Sequence, residues 1–332
     1  NSAARFSAPG FYFARALYAH LKVPLGILAA AEGSSPIRAW FSPETQRSHP
    51  LCKPLLDDYA TYAERKKPYT EYLAARKKAQ EEGTKEPPFP GFFEAYGDGP
   101  GMFYNSRIIP LAPFALKGVI WWQGGNEAIY KHGRMTRDLL PLLIADWRAL
   151  WKQDDLPFLI MQLSPIGKKA DAPDESEWAL VRDGQRQAAA LPHTALIVTM
   201  DILEATLHPV NKAALGPRLA AAARAVAYGE DLVYSGPLLE AAEFKDGRAV
   251  LTFAHTGGGL EARGGELEGF TLAGPDRKFH PAQADIQGDT VVVSSEAVPD
   301  PQSVRYAWAD NPTGNLFNRE GLPASCFRTD DW

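Results

Sequence analysis

The sequence predicts an α/β protein with a parallel sheet covered by helices on both faces, followed by a β-rich C-terminal region. Two observations carry that prediction. Four apolar runs (Val23–Ala30, Val119–Trp122, Pro157–Leu163 and Ala195–Asp201) alternate with stretches of helical spacing, the pattern of strand–helix–strand units. After Gly229 the pattern changes to short β-prone segments separated by Gly, Pro and Asp, such as Ala249–Phe253, Thr290–Ser294 and Val304–Trp308. The first region is expected to span 1–230 and the second 231–332.

Each element has its local reason. Phe11–Leu21 places apolar side chains at helical intervals, and Val23–Ala30 then runs as a strand into the small-residue loop Glu32-Gly33-Ser34-Ser35-Pro36. From 57 to 90 the chain is dense in charge at helical spacing and interrupted by Pro68, which predicts a solvated pair of helices protruding from the core and closed by the proline-rich KEPPFPGFF. Arg107–Leu116 forms a short helix leading to the next strand. Val119, Ile120, Trp121 and Trp122 lack polar alternation, as expected of a strand covered on both faces, with one indole of the pair in the core. Tyr130–Trp151 is helical, with Leu139, Leu140, Leu143 and Trp147 on its inner face, and Trp178–Leu191 is a further helix. His208-Pro209 then precedes an Ala- and Leu-rich helix to Tyr228. Proline favours the first helical position, so His208 is expected at the helix start. Near the C-terminus, Tyr306 and Trp308 are two apart and are expected to share a strand face, packed in the core.

Composition excludes several classes. At 332 residues and 45% hydrophobic the chain can bury a full-sized core. Its net charge of −5, with Lys and Arg interspersed among Asp and Glu, offers no field for a nucleic-acid backbone. No apolar run approaches the roughly 18 residues that span a bilayer, so no membrane partner is expected. The two cysteines, Cys52 and Cys326, fit no metal spacing and are read as incidental thiols. The seven histidines form no ligand pair at helical or loop spacing, so neither metal nor other cofactor is expected.

Two loops and one histidine hold the chemistry. Gln123, Gly124, Gly125, Asn126 and Glu127 put amides, a carboxylate and unhindered backbone at the C-terminal end of a strand, where open α/β sheets bind ligands. The loop at Gly33 repeats that logic, with Trp40 as a candidate wall. His208 follows the Ala195 strand and is presented at the same sheet edge. Taken singly, each loop is equally a plain turn, and His208 a helix-capping histidine.

In that order, LKVPLGILAAAEGSSPIRAW (21–40), GVIWWQGGNEA (118–128), LPLLIADWRALW (140–151), LPFLIMQLSP (156–165), LHPVNKAALGPRLA (207–220), VRYAWADNP (304–312) and NLFNREGLPASCFRTDDW (315–332) resemble the sialate O-acetylesterase-like branch of the SGNH hydrolase superfamily. The resemblance implies a flavodoxin-like three-layer α/β/α core and hydrolysis of acetyl esters on sugars. In the family a serine from an early Gly-Gln-Ser-Asn-Met block attacks the carbonyl. His208 matches the family base and Gly33 the oxyanion-holding glycine of the second block. Gln123 and Gly124 match the third block, with Trp40, Trp121 and Asn211 assigned to the pocket. An imidazole of ordinary pKa near 6.5 suits a serine's base near neutral pH.

The departures define further expectations. The serine block is absent, and the chain opens with NSAARFSAPG, so the block is expected upstream of Asn1. The family's third-block asparagine is shifted to Asn126, and Glu127 occupies its slot, where an anion opposes an oxyanion unless it is protonated or turned away. The family's Asp before the His is replaced by Ala205 and Thr206, leaving Glu204, Asp201 or Glu127 to orient the ring. The expected substrate is an acetylated carbohydrate. A non-catalytic glycan-binding relative is the alternative, and family habit places the protein outside the cytoplasm.

Overall fold

The computed structural model describes residues 6–60, 62–88, 99–170 and 175–332. The chain enters through α1 (Ala8–Leu21), whose first turn is capped by Ser7 Oγ accepting the Gly10 N–H at 3.3 Å. Short helices α2 (Pro43–Ser48) and α3 (Lys53–Ala60) lead to α4 (Tyr62–Glu82). The expected pair of helices is present, but its division is not at Pro68. That residue lies inside α4 and is itself exposed. Residues 89–98, most of the proline-rich closure, lie outside the described residues. The predicted helix before the first strand is a π turn, Tyr104–Ile108, continued by a 3₁₀ turn, Ile109–Leu111.

A parallel sheet follows, β1 (Val119–Trp121), β2 (Phe158–Met161) and β3 (Thr194–Ile197), in that spatial order. Its connections are α5 (Gly125–Ile129), α6 (Thr136–Trp151) and α7 (Glu177–Ala188), and the last strand leads to α8 (Leu215–Tyr228). Alternation along β2 divides the core into two layers. Phe158 and Ile160 pack with Trp121 and the α6 residues Leu140, Leu143 and Trp147. Leu159 and Met161 pack on the other face with Phe13 and Leu17 of α1 and Leu215 and Leu219 of α8. Each fully buried side chain of this size contributes about 1.5–3 kcal/mol. Trp121 and Trp122 fall on opposite layers as their adjacency requires. The α1–α8 contact is close because position 216 is glycine: a Cβ there would lie 2.5 Å from the Tyr12 carbonyl oxygen.

Residues 23–31 form neither helix nor strand. None of their amides or carbonyls has a backbone partner among the described residues. Leu25 and Ile27 still turn inward onto the α1–α8 layer, while Val23 and Leu28 are exposed. β1 is likewise an edge. Val119 donates to the Pro157 carbonyl at 2.8 Å, so by parallel alternation the Ile120 N–H and C=O face away from β2. Two strand-like segments thus share one packing layer without pairing with each other.

The C-terminal region is antiparallel. β4 (Leu238–Lys245), β5 (Arg248–Ala254), β9 (Gln283–Gln287) and β10 (Thr290–Ser294) form a sheet in the order β4-β5-β10-β9. β7 (Phe270–Ala273), β8 (Phe279–Pro281), β11 (Ser303–Tyr306) and β13 (Phe327–Arg328) form a second, in the order β13-β11-β7-β8. β6 (Leu260–Ala262) pairs with β12 (Leu316–Asn318). Leu251, Val291, Leu272, Val304 and Phe327 fill the space between the sheets. Both cysteines are free and buried, and burial first of all pushes the Cys326 thiol up to about 12. Tyr306 and Trp308 are both buried, but they do not share a face: Ala307 adopts φ +49°, and only Tyr306 enters the inter-sheet core. The two halves are bound by Arg182 on α7, fully buried, which donates to the carbonyls of Leu163 (2.9 Å), Ser164 (2.9 Å), Ala309 (2.8 Å) and Asp310 (2.7 Å). Burial lowers this guanidinium to about 10.

Candidate active site

The loops after 23–31 and after β1 meet at the C-terminal rim of the sheet. Asn126 Nδ2 donates to the Ser34 carbonyl at 3.1 Å, and Gln123 Nε2 to the Ser35 carbonyl at 3.2 Å. Glu127 Oε1 accepts the Ile37 N–H at 2.7 Å, capping the 3₁₀ turn Ile37–Trp40, and its other oxygen is bonded to Gln123. Ser35 Oγ donates to the Glu32 carbonyl and accepts Trp40 Nε1, both at 2.9 Å. Gln185 of α7, which shows no sequence signal, supports the rim from below. Its Nε2 donates to the Gln123 carbonyl and its Oε1 accepts the Leu163 N–H, each at 2.9 Å.

Gly124 makes the turn into α5 feasible. Its φ is +144°, and a Cβ there would lie 2.5 Å from Val181 Cγ1. Gly33 is exposed, Ser34 beside it has φ +57°, and neither amide donates to a described residue.

Glu127 is buried, 3% exposed, and its carboxylate is turned toward Ile37 and Gln123. Burial raises its pKa, and the hydrogen bonds from Ile37 and Gln123 only partly offset this. The carboxylate in the family asparagine's slot therefore holds the two loops together. Trp40 and Trp121, expected in the pocket, are instead in the core, 4% and 6% exposed and edge-to-face at 5.9 Å. They form the floor beneath the loops. Their burial follows from sheet and 3₁₀ facing that single residues do not reveal.

The His208 segment reaches this rim. Leu207 Cδ1 lies 3.7 Å from the Cβ position of Gly125, and Lys212 Nζ lies 5.7 Å from the centre of the Trp122 ring. His208 is exposed, and the helix does not begin there: α8 starts at Leu215. The intervening loop is held by its own polar groups. Glu204 accepts the Asn211 N–H at 3.1 Å, and Asn211 Oδ1 accepts the Ala213 N–H at 3.4 Å. Its own amide first, then those of Asn211 and Val210, hold the exposed Glu204 carboxyl below its ordinary pKa. Of the three candidate orienting acids, Asp201 is engaged by Arg218 at 2.5 and 2.7 Å, Glu127 by Ile37, and Glu204 by Asn211. No described residue is hydrogen-bonded to the His208 ring. Among the described residues no three His, Cys, Asp or Glu side chains converge on a common metal position, and no helix is long and apolar enough to cross a membrane.

Fold and sequence are similar to those of carbohydrate ester hydrolases. It superposes on a carbohydrate acetylesterase from Xanthomonas citri with TM-score 0.78 and 39% identity, over 99% of this chain and 66% of that one. In sequence it is similar to sialate O-acetylesterases, at 27% identity to the Homo sapiens protein (75% of this chain) and 30% to the Rattus norvegicus protein (70% of this chain). The chain spans 45% of the length of each of these two relatives. No family model matches it.

Proposed function

We propose that this chain carries the base and the oxyanion side of a carbohydrate O-acetylesterase of the SGNH type, with the nucleophilic serine supplied by polypeptide preceding Asn1. The observation that carries the reading is the meeting of the Gly33 loop, the Gly124 turn and the His208 segment at one rim. Both comparisons, with proteins named for acetyl ester hydrolysis, point the same way.

In this mechanism the serine hydroxyl attacks the acetyl carbonyl and passes its proton to neutral His208. The oxyanion is held by the Gly33 N–H and by the second N–H of Asn126, whose first is spent on Ser34. The intermediate collapses as protonated His208 gives its proton to the departing sugar oxygen, leaving the acyl-serine; water then attacks with neutral His208 again as base, and the second intermediate releases acetate as the proton returns to the serine oxygen. Glu204 is assigned as the orienting acid, because its partners are backbone groups of the His208 segment itself, whereas Asp201 and Glu127 are held elsewhere. Gln123, Gly124 and Asn211 border the substrate. Export from the cytoplasm belongs to the same reading.

The test is turnover of 4-nitrophenyl acetate and of acetylated oligosaccharides by the protein extended upstream of Asn1. His208→Ala is expected to lower turnover about a thousandfold or more, and equal rates would remove His208 from the chemistry. The His208 ring, bonded to no described carboxylate, favours a second reading, a glycan-binding relative without catalysis. Saturable sugar binding without acetyl release from the extended protein would establish it.

A further inference from the structure

The β1–β2 ladder ends at the pair Trp121 and Ile160, and beyond it the two chains part to open the rim. One side chain fills the split. Gln185 of α7 is 0% exposed, and its Oε1 accepts the Leu163 N–H at 2.9 Å. Its Nε2 donates to the carbonyls of Gln123 at 2.9 Å and Met161 at 3.4 Å. The donor and acceptor sides of this buried amide are both engaged, each on the backbone of a parting strand end.

The Gln123 carbonyl belongs to an unusual peptide. Gly124 has ψ −18°, a helical value, but φ +144°, roughly half a turn from the −60° of a helical residue. The Gln123–Gly124 peptide is therefore turned over relative to one that would begin α5 a residue earlier. Glycine accepts that φ, and Val181 and Gln185, one helical turn apart, close the space beneath it. A Cβ on Gly124 would lie 2.5 Å from Val181 Cγ1 and 3.6 Å from Gln185 Nε2. The carbonyl and N–H of a trans peptide point opposite ways, so with the Gln123 oxygen drawn to Gln185 the Gly124 N–H is directed away from α7. It donates to no described residue.

We propose that Gln185 is a positioning residue for ester hydrolysis, holding the Gln123–Gly124 peptide so that its N–H, and not its carbonyl, is presented on the side away from α7. Released from Gln185, the peptide can turn over into the helical setting. A carbonyl oxygen would then stand where the N–H stands, in the turn that carries Asn126, and its dipole would oppose the oxyanion that Asn126 meets. The consequence for turnover rests on the esterase reading; the orientation of the peptide does not.

The extended protein and its variants test the assignment, by turnover of 4-nitrophenyl acetate and by NMR. Gln185→Met keeps the length of the side chain and loses its hydrogen bonds. It should lower kcat about tenfold to a hundredfold and leave KM within about threefold of the parent. Val181→Ala, which loosens the packing under Gly124 and removes no hydrogen bond, should lower the thermal midpoint but keep kcat within about twofold. In the unmutated protein residual dipolar couplings should orient the Gly124 N–H away from α7, a readout independent of how the variants fold. In Gln185→Met the Gln123 carbonyl carbon should lose its hydrogen-bonded shift. An active parent whose kcat survives Gln185→Met, an equal fall in Val181→Ala, a rise in KM alone, or a Gly124 N–H directed toward α7 would overturn the proposal. If the extended parent shows no turnover, the esterase reading falls, while the dipolar couplings and the carbonyl shift still decide whether Gln185 holds this peptide.

Discussion

The two sides of the rim are built differently. The Gly33 and Gly124 loops are cross-linked by Asn126, Gln123 and a buried Glu127, and stand on a floor of Trp40 and Trp121. The His208 side is an exposed loop, closed by the exposed pair Glu204 and Asn211, with Val210 87% exposed and the imidazole unheld by any described residue. In the proposed mechanism the groups that meet the developing charge are thus fixed before substrate arrives, the condition for electrostatic stabilisation without reorganisation. The His208 side is held by fewer hydrogen bonds among the described residues.

The sharpest way to break the contrast is Gly124→Ala. It places a Cβ 2.5 Å from Val181 Cγ1 at a φ of +144°. The expected loss is about 2–4 kcal/mol in chemical denaturation, from overpacking plus backbone strain. A loss within 0.5 kcal/mol of zero (roughly the scatter of neutral surface changes) would mean the fixed side is not fixed.

Glu127 offers a second, smaller test with a defined sign. Its native pKa is raised by burial, so the folded state holds the proton more tightly than the unfolded chain. Its contribution to stability is present below the ordinary carboxylate pKa and is lost as pH rises through the raised native value. As pH rises above the ordinary carboxylate value and through the raised native one, the denaturation midpoint of the unmodified protein should therefore fall relative to that of Glu127→Gln, which keeps an acceptor for Ile37. Parallel profiles would show that Glu127 is ionised in both states. Glu127→Ala strands the Ile37 N–H and should cost about 1–3 kcal/mol.

The smallest effect is expected on the loose side. Glu204→Gln should leave the thermal midpoint unchanged, because the carboxylate is exposed, but should speed hydrogen exchange at the Asn211 amide it accepts. Slow exchange in both forms would show this loop to be as rigid as its counterpart.

Much of the frame was legible because burial on both faces writes uninterrupted apolar runs. β1, β2, α6 and α8 lie within the stretches predicted for them, β3 and α7 begin one residue before theirs, and the strands after Gly229 pair antiparallel. Where the reading failed, the cause was non-local. Val23–Ala30 has strand composition but pairs with no strand among the described residues. The helix after Pro209 starts late because Glu204 and Asn211 close a loop first. Glu127 looked like an intrusive charge and is a buried clasp, a distinction set by Ile37, 90 residues away in sequence. Gln185 and Arg182 left no local mark, since each acts only through contacts between distant segments.

The central claim is that His208 activates a serine brought to this rim by polypeptide preceding Asn1. A fluorophosphonate probe, which captures only activated serines, tests it directly when the extended protein is labelled and the modified peptide is located by mass spectrometry. The account predicts one labelled serine upstream of Asn1, with labelling lost in His208→Ala. Labelling elsewhere, or labelling undiminished in His208→Ala, would contradict it.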